Sequence, residues 1–234
     1  MTDQTSTLEQ PATSYLPDTT SRQPRLAVFG GSFDPLHNAH LFIAGEIIRR
    51  ELADEVLFVP AKQPPHKESV KLTDAETRLK MLYNTLSFYP DFAVSDIEVI
   101  REETSYTYDT LHLIAAAYTE SDISFVMGGD SLAELHQWYR ATELVQTFPL
   151  IIYPRPGFSM PSYAELAHRF GYKNARKLLD SVLDIHGFPV TATGVRELAT
   201  RKMSLAGLVP ESVQNFIVEY ELYNQPQEGE EKDE

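Results

Sequence analysis

Two histidines three residues apart, His37 and His40, follow the string Gly30-Gly31-Ser32-Phe33-Asp34-Pro35 and open an apolar segment with helical spacing. Residues at i and i+3 share one face of a first helical turn. The free N–H groups and the positive dipole end of a helix lie there too, so such a turn can receive phosphate oxygens. Imidazoles beside it can donate hydrogen bonds to a triphosphate and stabilise a pyrophosphate leaving group. The two glycines remove side chains and let an anion approach the main chain. The string is neither G-x-G-x-x-G nor G-x-x-x-x-G-K-[ST], since only Gly30 and Gly31 precede the helix and no Gly-Lys pair occurs in the chain. An isolated H-x-x-H serves structure more often, one ring capping the helix and the other satisfying a buried carbonyl. A zinc reading lacks cysteine and an evident third ligand.

Other residues carry two readings each. Lys67, in the Pro-rich loop 61–72, is either a mobile cation able to reach a polyphosphate or a solvated surface lysine. Thr193 and Arg196, again i and i+3 at a helix start, can present a hydroxyl, a guanidinium and N–H groups to one phosphate, or simply belong to a capped surface helix. Asp130 has the type and place of a helix N-cap, Ser105 and Thr107 those of turn residues, and Trp138, the only tryptophan, that of a core residue.

These residues need elements to bring them together. Short apolar runs at 25–29, 55–60, 92–100, 122–129 and 148–155 read as buried strands, with 181–186 a further candidate. Helical periodicity marks 39–52, 73–86, about 108–118, 193–200 and 210–223, with Thr73 and Glu76 forming a capping-box pattern. Strands alternating with helices imply an α/β, Rossmann-like single domain, a mostly parallel sheet with helices on both faces. Ligands of such sheets sit at the carboxyl ends of strands, where Gly30 and Gly31, Pro60 and Ala61, and Gly128 to Asp130 all fall.

Composition bounds the partners. The 234 residues carry a net charge of −14, which argues against nucleic acid and anionic membrane as partners, and contain no cysteine. There is no run of about 20 apolar residues, and the first residues lack the basic and apolar regions of a secretory signal. A cytoplasmic location is the expectation. Residues 1–24, rich in Thr, Ser, Gln and Pro, read as a disordered extension, 25–223 as the folded domain and 224–234 as a disordered acidic tail. The oligomeric state is left open, a homo-oligomer included.

The string Gly31-Ser32-Phe33-Asp34-Pro35-Leu36-His37-Asn38-Ala39-His40 resembles the G-x-F-D-P-x-H-x-G-H signature of the nucleotidylyltransferase superfamily, with Ala39 in place of a glycine. Four further segments, Val59–Lys67, Ser105–Leu111, Met127–Arg140 and Val190–Leu198, resemble those of bacterial nicotinate-nucleotide adenylyltransferases, with Thr191-Ala192 where the family has Ser-Ser. The resemblance implies transfer of the adenylyl group of ATP to nicotinate mononucleotide, releasing pyrophosphate, with Mg²⁺ held mainly by the ATP phosphates and no residue assigned as metal ligand. It assigns His37, His40, Lys67 and Arg196 to the triphosphate and the developing pyrophosphate. Gly30, Gly31, Ser32, Phe33, Asp130 and Thr193 would join His40 and Arg196 in binding ATP. Asp34, Lys67, Ser105, Tyr106, Thr107 and Trp138 would bind the mononucleotide, the tryptophan stacking on the pyridine ring and the 105–107 backbone meeting the carboxylate. A related adenylyl- or cytidylyltransferase and a catalytically inactive nucleotide-binding regulator are the alternatives.

Overall fold

The structure, a computed structural model, describes residues 22–62, 72–185 and 188–224. Residues 1–21 and 225–234, and with them nearly all of both expected disordered termini, lie outside it, as does Lys67.

Five strands, β1 (Arg25–Gly31), β2 (Glu55–Pro60), β3 (Phe92–Val94), β4 (Asp122–Gly128) and β5 (Leu150–Tyr153), form one sheet in the order β3-β2-β1-β4-β5. Every pairing is parallel. Alternation along β1 splits the core into two layers. Leu26 and Val28 face α3 (Thr107–Ala117), α5 (Ala141–Thr147), α6 (Tyr163–Phe170) and α7 (Tyr172–Asp180) through Ile114, Leu144, Leu166 and Leu178. Ala27 and Phe29 face α1 (Asn38–Arg49), α2 (Ala75–Leu86), α8 (Ala192–Thr200) and α9 (Glu211–Glu219) through Ile43, Leu82, Val195 and Val213. A short α4 (Gly129–Glu134) runs into a 3-10 turn at Leu135–Gln137. Among the described residues no helix is long and apolar enough to cross a membrane.

Several local expectations change. Asp74, not Thr73, caps α2, accepting from the Thr77 N–H at 2.8 Å. Strand β3 stops at Val94 instead of running on to Ile100. The 181–186 candidate reduces to a single parallel bridge between Ile152 and Val182. Helices α6 and α7 arise where no periodic segment was assigned; both are short, and Gly171 at φ +81° lets the chain turn between them. Helix α9 ends at Glu219, and the chain continues through left-handed backbone at Glu221 and Tyr223.

Candidate active site

The carboxyl ends of β1, β2, β4 and β5 open into one cavity of about 780 Å³. Gly30, Gly31, Ser32, Phe33, His37, His40, Asp130, Thr193 and Arg196 line it, and so do Ser105, Tyr106, Thr107 and Trp138. Two candidates fall elsewhere. Lys67 lies outside the described residues. Asp34 is fully buried and does not line the cavity, because both its carboxylate oxygens are taken up inside the protein by Tyr223 and Thr73. Asp34, expected at the mononucleotide, is therefore not among the residues that the structure brings to the cavity wall.

His37 enters α1 in extended conformation, and its N–H donates to Nδ1 of His40 at 3.2 Å. That bond makes Nδ1 of His40 an acceptor, so its proton sits on Nε2. The two rings stack with centroids 3.6 Å apart, and Nδ1 of the buried His37 has no hydrogen-bond partner among the described residues. Burial lowers the His37 pKa to about 4, with Arg155 reinforcing the shift. The His40 pKa is pushed well down by burial, then by His37 and Arg155. Both rings are thus neutral near pH 7 and act as polar donors, not as fixed positive charges. Ala39, where the superfamily signature has glycine, places its methyl on the cavity wall.

A depressed histidine pKa has a defined effect on stability. Between about pH 6.5 and about pH 4 the unfolded chain binds a proton at His37 that the folded chain refuses. Its contribution is fully present above the upper limit and is lost as pH falls through the window. Urea unfolding across this range is expected to show stability declining toward acid, and His37→Asn to show a shallower decline.

The cavity has two chemically distinct ends. At one, Arg196 donates to the Asp34 carbonyl at 2.9 Å and to Thr193 Oγ1 at 3.3 Å, which turns its guanidinium along the wall. The Thr191 hydroxyl caps α8 by accepting from the Gly194 N–H at 3.1 Å, so it serves the helix. At the other end, the N-terminus of α3 has no side-chain cap among the described residues, and Ser105, Tyr106 and Thr107 at its start line the cavity together with Trp138. The indole meets Phe125 edge-on at 6.2 Å. A helix N-terminus and an aromatic ring lining one cavity suit a planar ring bearing a carboxylate.

Among the lining residues that sequence reasoning missed, two are charged groups with defined partners. Arg155, just past β5, pairs with Asp130 at 2.5 Å, so the carboxylate enters the site with a cation already on it. It follows a strand end, as do the other site loops, and that position was its available signal. Glu98 accepts from Thr110 Oγ1 at 2.6 Å, and its pKa is raised by burial against the opposing effects of Thr110 and Arg101. No local pattern marked it. The glycines work by close approach. A Cβ on Gly31 would lie 3.1 Å from the Phe33 ring, and one on Gly128 would run into the Asp130 carboxylate.

The parallel sheet with a histidine-bearing turn at the mouth of α1 defines a nucleotidyltransferase of the cytidylyltransferase-like class, whose family model matches residues 28–198. A probable nicotinate-nucleotide adenylyltransferase of Clostridium tetani is 33% identical over 197 residues, covering 84% of this chain and 98% of its own length. The nicotinate-nucleotide adenylyltransferase of Bacillus subtilis is 32% identical over 199 residues, 85% of this chain and 98% of that protein. The fold is also that of the Plasmodium falciparum nicotinic acid mononucleotide adenylyltransferase solved with NaAD, with a TM-score of 0.67 at 19% identity over 86% of this chain and 98% of that one. The chain belongs to the nicotinate-nucleotide adenylyltransferase family.

Proposed function

We propose that this protein transfers the adenylyl group of ATP to nicotinate mononucleotide, giving nicotinate adenine dinucleotide and pyrophosphate. One observation carries the reading beyond family membership. A single cavity joins a phosphate-suited end, built from His37, His40, Arg155 and Arg196, to an aromatic, carboxylate-suited end at Trp138 and the start of α3.

The reaction needs little from a general base, because a mononucleotide phosphate is already a nucleophile at neutral pH. Its oxygen attacks the α-phosphorus of ATP, the bond from that phosphorus to the bridging oxygen breaks, and pyrophosphate leaves with the electron pair. Catalysis then reduces to positioning and to stabilising charge on the departing oxygens. Neutral His37 and His40 donate hydrogen bonds, and Arg196 and Arg155 supply positive charge. Lys67, outside the described residues, is proposed to add a cation from its loop. Gly30, Gly31, Ser32 and Phe33 form the turn beside ATP, with Thr193 and Asp130 flanking it.

Mg²⁺ belongs with ATP as substrate in this reading and offsets charge on its phosphates. Among the described residues no three His, Asp or Glu side chains gather into a metal cage, and Asp130 is paired with Arg155. A cytoplasmic enzyme is the matching location.

Pyrophosphate release from ATP is the direct test, with nicotinate mononucleotide and its amide compared in parallel. The acid is expected to be preferred by at least about 100-fold in kcat/KM, since the amide cannot match a site built for a carboxylate. Equal use would remove the acid specificity, and no release with either would overturn the reaction.

A further inference from the structure

Asp34 joins four parts of the molecule that are remote in sequence. Its carboxylate accepts from the Tyr223 hydroxyl at 2.6 Å and from the Thr73 N–H at 3.1 Å, and its carbonyl accepts from Arg196 at 2.9 Å. Tyr223 stands 189 residues away along the chain, on the coil that follows α9. It is held there from two sides. Its carbonyl accepts from Thr200 Oγ1 at 2.9 Å, at the end of the helix that carries Arg196, and its phenol donates to Asp34. Burial raises the Tyr223 phenol far above its ordinary value, so the group stays a donor throughout the physiological range.

Asp34 has a reason to be held. The residue before it, Phe33, has φ +45°, a left-handed backbone that strains a non-glycine residue and persists only where its surroundings over-determine it. The Phe33 ring is buried edge-on against Phe29 at 5.7 Å and His40 at 5.0 Å. Any drift of Asp34 therefore passes to the histidines on one side and to Arg196 on the other. Tyr223 does not line the cavity, so it can act on the reaction only through these neighbours.

We propose that Tyr223 is a positioning residue: by holding Asp34, the C-terminal coil sets the Phe33–His40 turn and Arg196 for the polyphosphate of ATP. The inference rests on the reading that this end of the cavity takes ATP. It concerns one substrate and not the other, because the mononucleotide end is built on α3 and Trp138, away from Tyr223.

The test uses the full chain. Tyr223→Phe keeps the ring and removes only the donor, and it is expected to lower kcat/KM for ATP by about 10- to 100-fold, the scale of a small misplacement at a reacting centre. The KM for nicotinate mononucleotide should stay within about twofold, whereas general loosening of the fold would raise both. Ser212→Ala, which removes the Ser212–Thr85 bond joining α9 to α2 outside the cavity, controls for lost stability and should leave kcat/KM unchanged. On Asp34→Asn, the Tyr223→Phe change should add almost nothing, because the two act as one unit. All variants are assayed well below their own unfolding midpoints.

A Tyr223→Phe enzyme equal to wild type, an equal rise in both KM values, or full additivity with Asp34→Asn would each overturn the proposal. Wild-type protein that releases no pyrophosphate would instead overturn the assigned reaction. Calorimetric ATP affinity then decides on Tyr223: a loss of tenfold or more in Tyr223→Phe supports its role, and an unchanged affinity ends it.

Discussion

His37→Ala is expected to reduce kcat by about 100- to 1000-fold while the protein remains folded, the range found when one preorganised donor is removed from developing charge. The pairing of a large kinetic loss with a small structural one follows from the geometry. The His37 imidazole is buried at the head of α1, yet its Nδ1 bonds to nothing among the described residues. Truncation leaves no protein partner of that nitrogen unsatisfied. What is lost is a neutral donor in a site shielded from water, where a hydrogen bond to a departing oxygen counts for more than in solution. The backbone bond from His37 to His40 survives the change, so the start of α1 is kept. Pyrophosphate release beside a thermal melt checks both halves. A wild-type rate would remove His37 from the reaction, and an unfolded variant would make its role structural.

Arg78→Leu is expected to reduce folding stability by about 3–5 kcal/mol, the scale for leaving three buried carbonyls each without a donor. Arg78 is only 1% exposed. Its guanidinium donates to the carbonyls of Thr73 at 2.7 Å, Ser32 at 2.6 Å and Lys62 at 3.0 Å. Leucine fills part of the volume but leaves three carbonyls without their donor. Lys62 and Thr73 flank the segment 63–71, and Ser32 belongs to the turn beside the cavity. The same change is therefore expected to weaken ATP binding as well as the fold. Arg78→Lys should recover only part of either, since a single ammonium cannot span three acceptors in a fixed fork. Urea unfolding and calorimetric titration with ATP measure the two effects, and a loss under about 1 kcal/mol would show that the carbonyls find other donors.

Much of this architecture was legible in the chain. The apolar runs at 25–29, 55–60 and 122–129 became the three central strands because each is buried on both faces and needs no alternation to declare itself. The strand ends marked by glycine or proline did converge on one cavity. The site's periodic pairs, His37 with His40 and Thr193 with Arg196, lie on its wall because i and i+3 fix a shared helical face before any tertiary contact forms. Elsewhere the reading failed. Strand β3 has three residues, too few for alternation to stand out, and α6 and α7 were missed although they are about as long as α8 and α9.

The sequence by itself determined the class of fold, the turn at the mouth of α1 and the pairs His37–His40 and Thr193–Arg196 on the cavity wall, since these follow from local spacing. Tertiary structure alone decided what Asp34 does. Its type and position suited a ligand contact, and only the arrival of Tyr223 and Thr73 turned its carboxylate inward. Tertiary structure likewise placed Arg155 on Asp130, Glu98 under Thr110 and Arg78 across three carbonyls. The physical reason is the same in each case. A hydrogen bond between residues far apart in sequence depends on how layers pack, and no repeat of 2 or 3.6 residues records it.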